Sequence, residues 1–115
     1  MNFDPEPYAA GIRAANELER RRIADRLERA RNEAKRLADE IRAADATVRN
    51  VILFGSTARG NPSREDFDLD LALDGGDAYK AMDIAAGSPF KVDLVSLDLL
   101  PAGMRDAVLA TGVRL

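Results

Sequence analysis

Two short apolar runs constrain this chain most. Val51-Ile52-Leu53-Phe54 ends on Gly55-Ser56, and after a polar loop Phe67-Asp68-Leu69-Asp70-Leu71-Ala72-Leu73 alternates carboxylate and apolar residues. Alternation with a period of two is the mark of a strand, and residues two apart share a face. Asp68 and Asp70 therefore stand side by side, with Leu69 and Leu71 on the opposite face. Two like charges held that close are costly unless a cation lies between them. Mg²⁺ suits such a pair, because it takes hard carboxylate oxygens and leaves room for substrate phosphates. Gly55-Ser56, at the exit of the preceding strand, lets backbone amides come close to a phosphate. A metal site beside a phosphate grip outlines phosphoryl or nucleotidyl transfer.

The remaining composition narrows the chemistry. The chain has no Cys and no His. Disulfides, thiolate metal sites, imidazole general bases and His-ligated zinc are thereby excluded, and acid–base or metal work falls to Asp and Glu. Residues 11–50 carry eleven Lys/Arg against eight Asp/Glu, whereas residues 51–115 carry six against ten. A nucleic-acid-binding domain usually shows a clear basic surplus. The acidic second half points instead to a nucleotide–metal complex, with no long nucleic acid. No apolar run is long enough to span a bilayer, and no secretory-type leader opens the sequence. A cytoplasmic protein without membrane association is expected.

Residues 1–10, with Pro5 and Pro7, read as an irregular lead-in in which Asp4-Pro5 caps a short turn. From Ile12 to Ala44 the chain is rich in Ala, Leu, Arg and Glu and lacks Pro, which favours one helix. Ile23, Leu27, Ala30, Ala34, Leu37, Ile41 and Ala44 step by four and three, a narrow apolar seam. Leu27, Leu37 and Ile41 are expected to be buried, and Arg20, Glu28 and Arg31 exposed. Such a helix runs about 45–50 Å, whereas a domain of this size has a radius of gyration of about 13–14 Å. It should overhang its own sheet, either as a solvated extension or as a contact with a second chain, a copy of itself included. Strands are expected over Val48–Phe54, Phe67–Leu73 and Val92–Leu97, with a short last one at Val113–Leu115. Asn61 to Asp66 is a turn segment. Helices are expected over Ala78–Ala86, N-capped by Asp77, and over Ala102–Ala110. The expected fold class is α/β (α+β): residues 1–45 form a helical extension and residues 46–115 a core with a small mixed sheet and flanking helices.

The order Phe54-Gly55-Ser56, spacer, Asp68-Leu69-Asp70-Leu71 resembles the nucleotidyltransferase superfamily of DNA polymerase β. More closely, Phe54-Gly55-Ser56-Thr57-Ala58-Arg59-Gly60 resembles the minimal nucleotidyltransferases, small prokaryotic proteins many of which are antitoxins paired with a HEPN-domain toxin. The resemblance covers about residues 46–115. It implies a third carboxylate on a later strand, and Asp93 within Phe90-Lys91-Val92-Asp93-Leu94-Val95 fills that place. It further implies that Asp68, Asp70 and Asp93 hold two Mg²⁺ ions and that Gly55, Ser56 and Arg59 hold the β- and γ-phosphates of ATP. Thr57 stands where many relatives have Arg, which shifts phosphate binding to Arg59 and Arg64. Asp66 reads as a loop residue behind the site. The implied function is transfer of AMP from ATP to a tyrosine of a HEPN partner. Two alternatives stand beside it: a non-catalytic antitoxin that occludes its partner through the long helix, and a transferase acting on a small molecule or an RNA end.

Overall fold

A computed structural model describes residues 4–60 and 68–115. The first helix, α1, spans Glu6–Ala44. It begins six residues earlier than the sequence suggests, because Pro5 and Pro7 fall at its start, where a helix has no amide bond to lose. The Asp4 carboxylate caps that turn by accepting from the Glu6 amide at 3.0 Å. Its second half carries the buried seam, Ala30, Ala34, Leu37, Ala38 and Ile41. Ile23 and Leu27 are only half-buried, Ala44 is exposed, and Ala38 joins the seam in its place. Arg20 and Glu28 are exposed, but Arg31 is half-buried and bonded to a neighbouring segment.

Residues 10–22 are exposed throughout, Ile12 and Leu18 included. The overhang is therefore real: the molecule measures 72 × 30 × 17 Å, with a radius of gyration of 18.6 Å, against about 14 Å for a compact chain of this length. Its exposed turns are laced by Arg13–Glu6 and Arg21–Glu17 ion pairs, and exposed pairs of this kind are each worth only tenths of a kcal/mol.

Strand β1, Asn50–Phe54, enters the centre of a four-stranded sheet in the order β3-β2-β1-β4. β2, Leu69–Asp74, lies antiparallel to β1; β3, Val92–Ser96, lies parallel to β2; β4, Val113–Arg114, closes the other edge antiparallel to β1. Between them come the short α2, Gly55–Arg59, then α3, Ala78–Ala86, a 3₁₀ turn at Leu97–Leu99, and α4, Ala102–Thr111. Leu97 thus leaves the sheet where an uninterrupted strand was expected. Asp77 caps α3 as its position suggested, accepting from the amides of Tyr79 and Lys80. The loop at Asn61–Asp66 and the start of the second strand at Phe67 lie outside the described residues.

The sheet has two unequal faces. Val51, Leu53, Leu69, Leu71, Leu73 and Leu94 pack under α1 and α3 in the main core. Ile52 and Ala72 form a smaller cluster on the other face with Leu97 and Val108, joined by Phe54 and Val95. Strand alternation makes this division automatic. The anchored half of α1 is also tied by polar contacts. The Ser88 hydroxyl donates to Glu33 at 2.7 Å, Arg42 donates to the Leu115 carbonyl at 2.9 Å, and the Asp77 amide donates to Asp45 at 2.8 Å.

Asp45 supplies a pH signature of that tether. Its carboxylate accepts from the Thr47 hydroxyl, from the Asp77 amide and from the Thr47 amide, and its pKa is lowered from 3.8 to about 2. A depressed carboxyl contributes stability above its unfolded value and loses it as pH falls through the folded value. Asp45→Asn should therefore melt below the parent at pH 7, with the gap closing between about pH 4 and pH 2. Melting curves across that range that stay parallel would remove Asp45 from the acid response.

Candidate active site

The three aspartates singled out by the sequence share the lightly covered sheet face. Asp70 lies on the same side of β2 as Ala72, and Asp93 on the same side of β3 as Val95, while their neighbours Leu69, Leu71 and Leu94 point into the main core. Asp70 pairs across the parallel ladder with Asp93 and across the antiparallel ladder with Phe54. Neighbouring strands lie about 4.8 Å apart, so Asp70 and Asp93 are adjacent. Asp68 precedes β2 by one residue and is half-buried. All three gather where β1 leaves the sheet and β2 and β3 enter it.

Electrostatics records the crowding. The Asp70 carboxyl is pushed above its ordinary value, first by burial, then by the charges of Asp93 and Asp68, while Arg59 pulls it back down. The two neighbours and the cation thus all act on one carboxylate. Asp68 is also drawn aside: its Oδ2 lies 3.6 Å from Lys91 Nζ, an exposed ion pair. Among the described residues no three acidic groups stand close enough to form a ready-made metal cage. As a donor set, hard oxygens with excess negative charge suit a small divalent ion.

Gly55 is the hinge of this arrangement. Its φ is +76°, a conformation reserved in practice for glycine, and a Cβ there would lie 2.3 Å from Asp70 Oδ2. The backbone of the Gly-Ser turn therefore passes directly against the central carboxylate. Gly55→Ala should cost about 1–2 kcal/mol from the left-handed backbone alone and displace Asp70 as well. Urea unfolding that places the variant level with the parent would show that the turn is free to rearrange.

From Gly55 the chain turns into α2, which ends on Gly60 in the left-handed region, its amide bonded to the Ser56 carbonyl at 2.9 Å. Ser56 is half-buried and Arg59 exposed. A small cleft of about 270 Å³, lined in part by Gly55, Arg59, Met104 and Thr111, opens between α2 and α4 beside the carboxylates. Thr57 is fully buried, and its hydroxyl donates to the Phe54 carbonyl at 3.5 Å. The side chain at position 57 thus packs inward, away from any phosphate, and Thr57 serves the packing of α2. Arg64 and Asp66 fall outside the described residues.

Sequence reading missed Arg31. From α1, its Nε and Nη2 donate to the Thr57 carbonyl at 3.0 and 2.9 Å, and Nη2 also reaches the Ala58 carbonyl at 3.4 Å. Position 31 flanks the buried seam, so the stem of a long side chain can follow the helix surface while its head reaches a neighbour. That flanking place is its only signal in the sequence.

No protein-family model and no curated protein matches the chain. Solved structures do. A chain of a toxin–antitoxin crystallised with AMP-PNP is 24% identical, with a TM-score of 0.55 over 72% of this chain and 69% of that one. A variant of the MntA-HpeT toxin–antitoxin is also 24% identical, with a TM-score of 0.55 over 74% and 70%. A "putative nucleotidyltransferase" from Sulfolobus solfataricus is 21% identical, with a TM-score of 0.58 over 81% and 85%. The mixed sheet and its flanking helices thus share the fold of these solved structures.

Proposed function

We propose that this protein is a Mg²⁺-dependent nucleotidyltransferase that moves AMP from ATP onto a tyrosine of a HEPN-domain toxin, acting as its antitoxin. The observation that carries the reading is the convergence on Asp70: Asp93 in register beside it, Asp68 two residues before it, Arg59 within its field and Gly55 pressed against it. The structural neighbours support the fold and, through the AMP-PNP and toxin–antitoxin complexes among them, the choice of nucleotide and partner class.

In this reading Asp68, Asp70 and Asp93 hold Mg²⁺. Those carboxylates would hold the metal, whose chemistry when bound would be to acidify an attacking hydroxyl and offset the charge of the leaving pyrophosphate. Gly55 keeps the turn close enough for backbone amides to meet the terminal phosphates, Ser56 adds a hydroxyl donor, and Arg59 supplies a planar cation for phosphate oxygens. The acceptor oxygen bonds to the α-phosphorus as the bond from that phosphorus to the bridging oxygen breaks. Pyrophosphate leaves, and the hydroxyl proton passes toward Asp93 and solvent. No covalent enzyme intermediate is required, in keeping with a chain without Cys or His.

A second reading rests on the exposed half of α1. Tyr8, Ile12 and Leu18 are 71%, 46% and 49% exposed, which offers a partner an apolar strip and would let the protein neutralise by occlusion alone. Labelled ATP, Mg²⁺ and the candidate toxin separate the two. Transfer predicts label on a toxin side chain with release of pyrophosphate, abolished by Asp68→Ala and by Ser56→Ala while the two proteins still associate. Occlusion predicts no label, with both variants protecting as well as the parent. Tight association without label across several nucleotides would defeat the transferase reading.

A further inference from the structure

We infer that Arg31, on the long helix and outside the Gly-Ser and aspartate motifs, is a positioning residue for the nucleotide-binding turn. The inference rests on the transferase reading above. Arg31 lies 26 residues before Thr57, yet its guanidinium holds the Thr57 carbonyl with two donors and reaches Ala58 with one of them. These carbonyls belong to the last turn of α2, where helix oxygens lack intrahelical partners and favour a cation. The grip is closed from the other side by Gly60, where a Cβ would stand 3.0 Å from Arg31 Nη2. Gly60 in turn donates its amide to the Ser56 carbonyl. One guanidinium thus fixes the far end of the five-residue segment whose near end, Gly55, abuts Asp70.

Geometry explains why arginine serves here. The Nε and Nη2 donors clasp the Thr57 carbonyl as a rigid fork while Nη2 also reaches Ala58, a preorganised pair that the point charge of an ammonium lacks. The turn that carries Arg31 is itself seated in the core, where Ala30 and Ala34 on either side are 0% exposed. This buried turn of α1 thereby holds a short segment whose own packing comes from Thr57 and Ala58.

Arg31→Met tests this, since it keeps most of the apolar stem and removes the fork. Amide exchange in the ligand-free protein should accelerate at Gly60 about tenfold or more, with the β1 and β2 amides unchanged. Mg·ATP should bind about tenfold more weakly, with Arg31→Lys between parent and Met. Leu37→Ala, which loosens the same helix without touching α2, should bind Mg·ATP as the parent does despite a lower melting temperature. Unchanged exchange at Gly60 would overturn the inference. So would an affinity loss that merely tracks melting temperature across Arg31→Met and Leu37→Ala. If the parent itself fails to bind Mg·ATP, the transferase reading fails, and exchange at Gly60 still decides whether Arg31 holds the turn.

Discussion

Asp70→Asn should do two opposite things. It should raise the melting temperature of the ligand-free protein at neutral pH, and it should abolish the additional stabilisation that Mg²⁺ and ATP give together. The first follows from linkage. The carboxyl's folded pKa lies above its ordinary value because of burial and the charges of Asp93 and Asp68. A group raised in this way contributes stability below its unfolded pKa and loses it as pH rises through the folded one. At pH 7 ionised Asp70 is therefore a burden on the empty protein, and a neutral isostere removes it. Below about pH 4 the advantage of Asn should disappear. The second follows from mass action, since a ligand that binds only the folded state stabilises it. On the transferase reading, Asn cannot replace the central carboxylate as a ligand to the metal. Metal-assisted charge stabilisation is worth several kcal/mol, so transfer should fall by about 10²–10³-fold or more. A variant that keeps the full Mg·ATP shift would displace the metal site from Asp70. One that melts lower than the parent when empty would show that Asp70 is satisfied by contacts other than those seen.

Leu37→Ala should be among the most damaging substitutions in the core. Leu37 is 0% exposed and sits in the main cluster with Ala34, Ala38 and Ile41 beneath the anchored half of α1. Ala34 and Ala38, its neighbours along the helix, are too short to fill the space it leaves. Truncation of a buried leucine costs about 2–4 kcal/mol when the surroundings relax only partly. For a chain of this size that corresponds to a fall in melting temperature of roughly 8–15 °C. Leu18→Ala, at 49% exposure in the overhang, should cost less than about 0.5 kcal/mol. Denaturant unfolding of the pair checks both halves of the helix together. A cost below about 1 kcal/mol at Leu37 would mean that α1 is only loosely seated on the sheet.

The overhang and the seat of α1 also show how far local pattern reaches. The seam from Ala30 to Ile41 is legible because helical periodicity is a property of neighbouring residues, and a burying face needs small or apolar side chains wherever it recurs. The alternation of Asp68, Leu69, Asp70 and Leu71 fixes which aspartates share a face for the same reason, and Asp77 declares itself as the cap of α3. The start of α1 is misplaced by sequence because prolines usually read as breaks, and only their position in the first turn makes them harmless.

Other features required the tertiary structure. Strand order β3-β2-β1-β4 and the pairing of Asp70 with Asp93 are decided by packing between segments distant in sequence, and no local period encodes them. Nothing in the sequence says that α1 and α3 would cover one sheet face almost wholly while α4 leaves the carboxylates on the other face accessible. Thr57 stands where many similar sequences carry Arg, yet its side chain is fully buried. Arg31 reads as a surface charge on a helix rich in them. It becomes the anchor of α2 only because the fold brings the Thr57 and Ala58 carbonyls within reach of its guanidinium. Sequence alone determined the amphipathic helix, the strands and the shared face of Asp68 and Asp70, since each follows from local spacing, whereas Asp93 was reached through the family resemblance. The tertiary structure alone decided which groups those residues meet, since long-range contacts depend on how the segments pack and not on the spacing within any one of them.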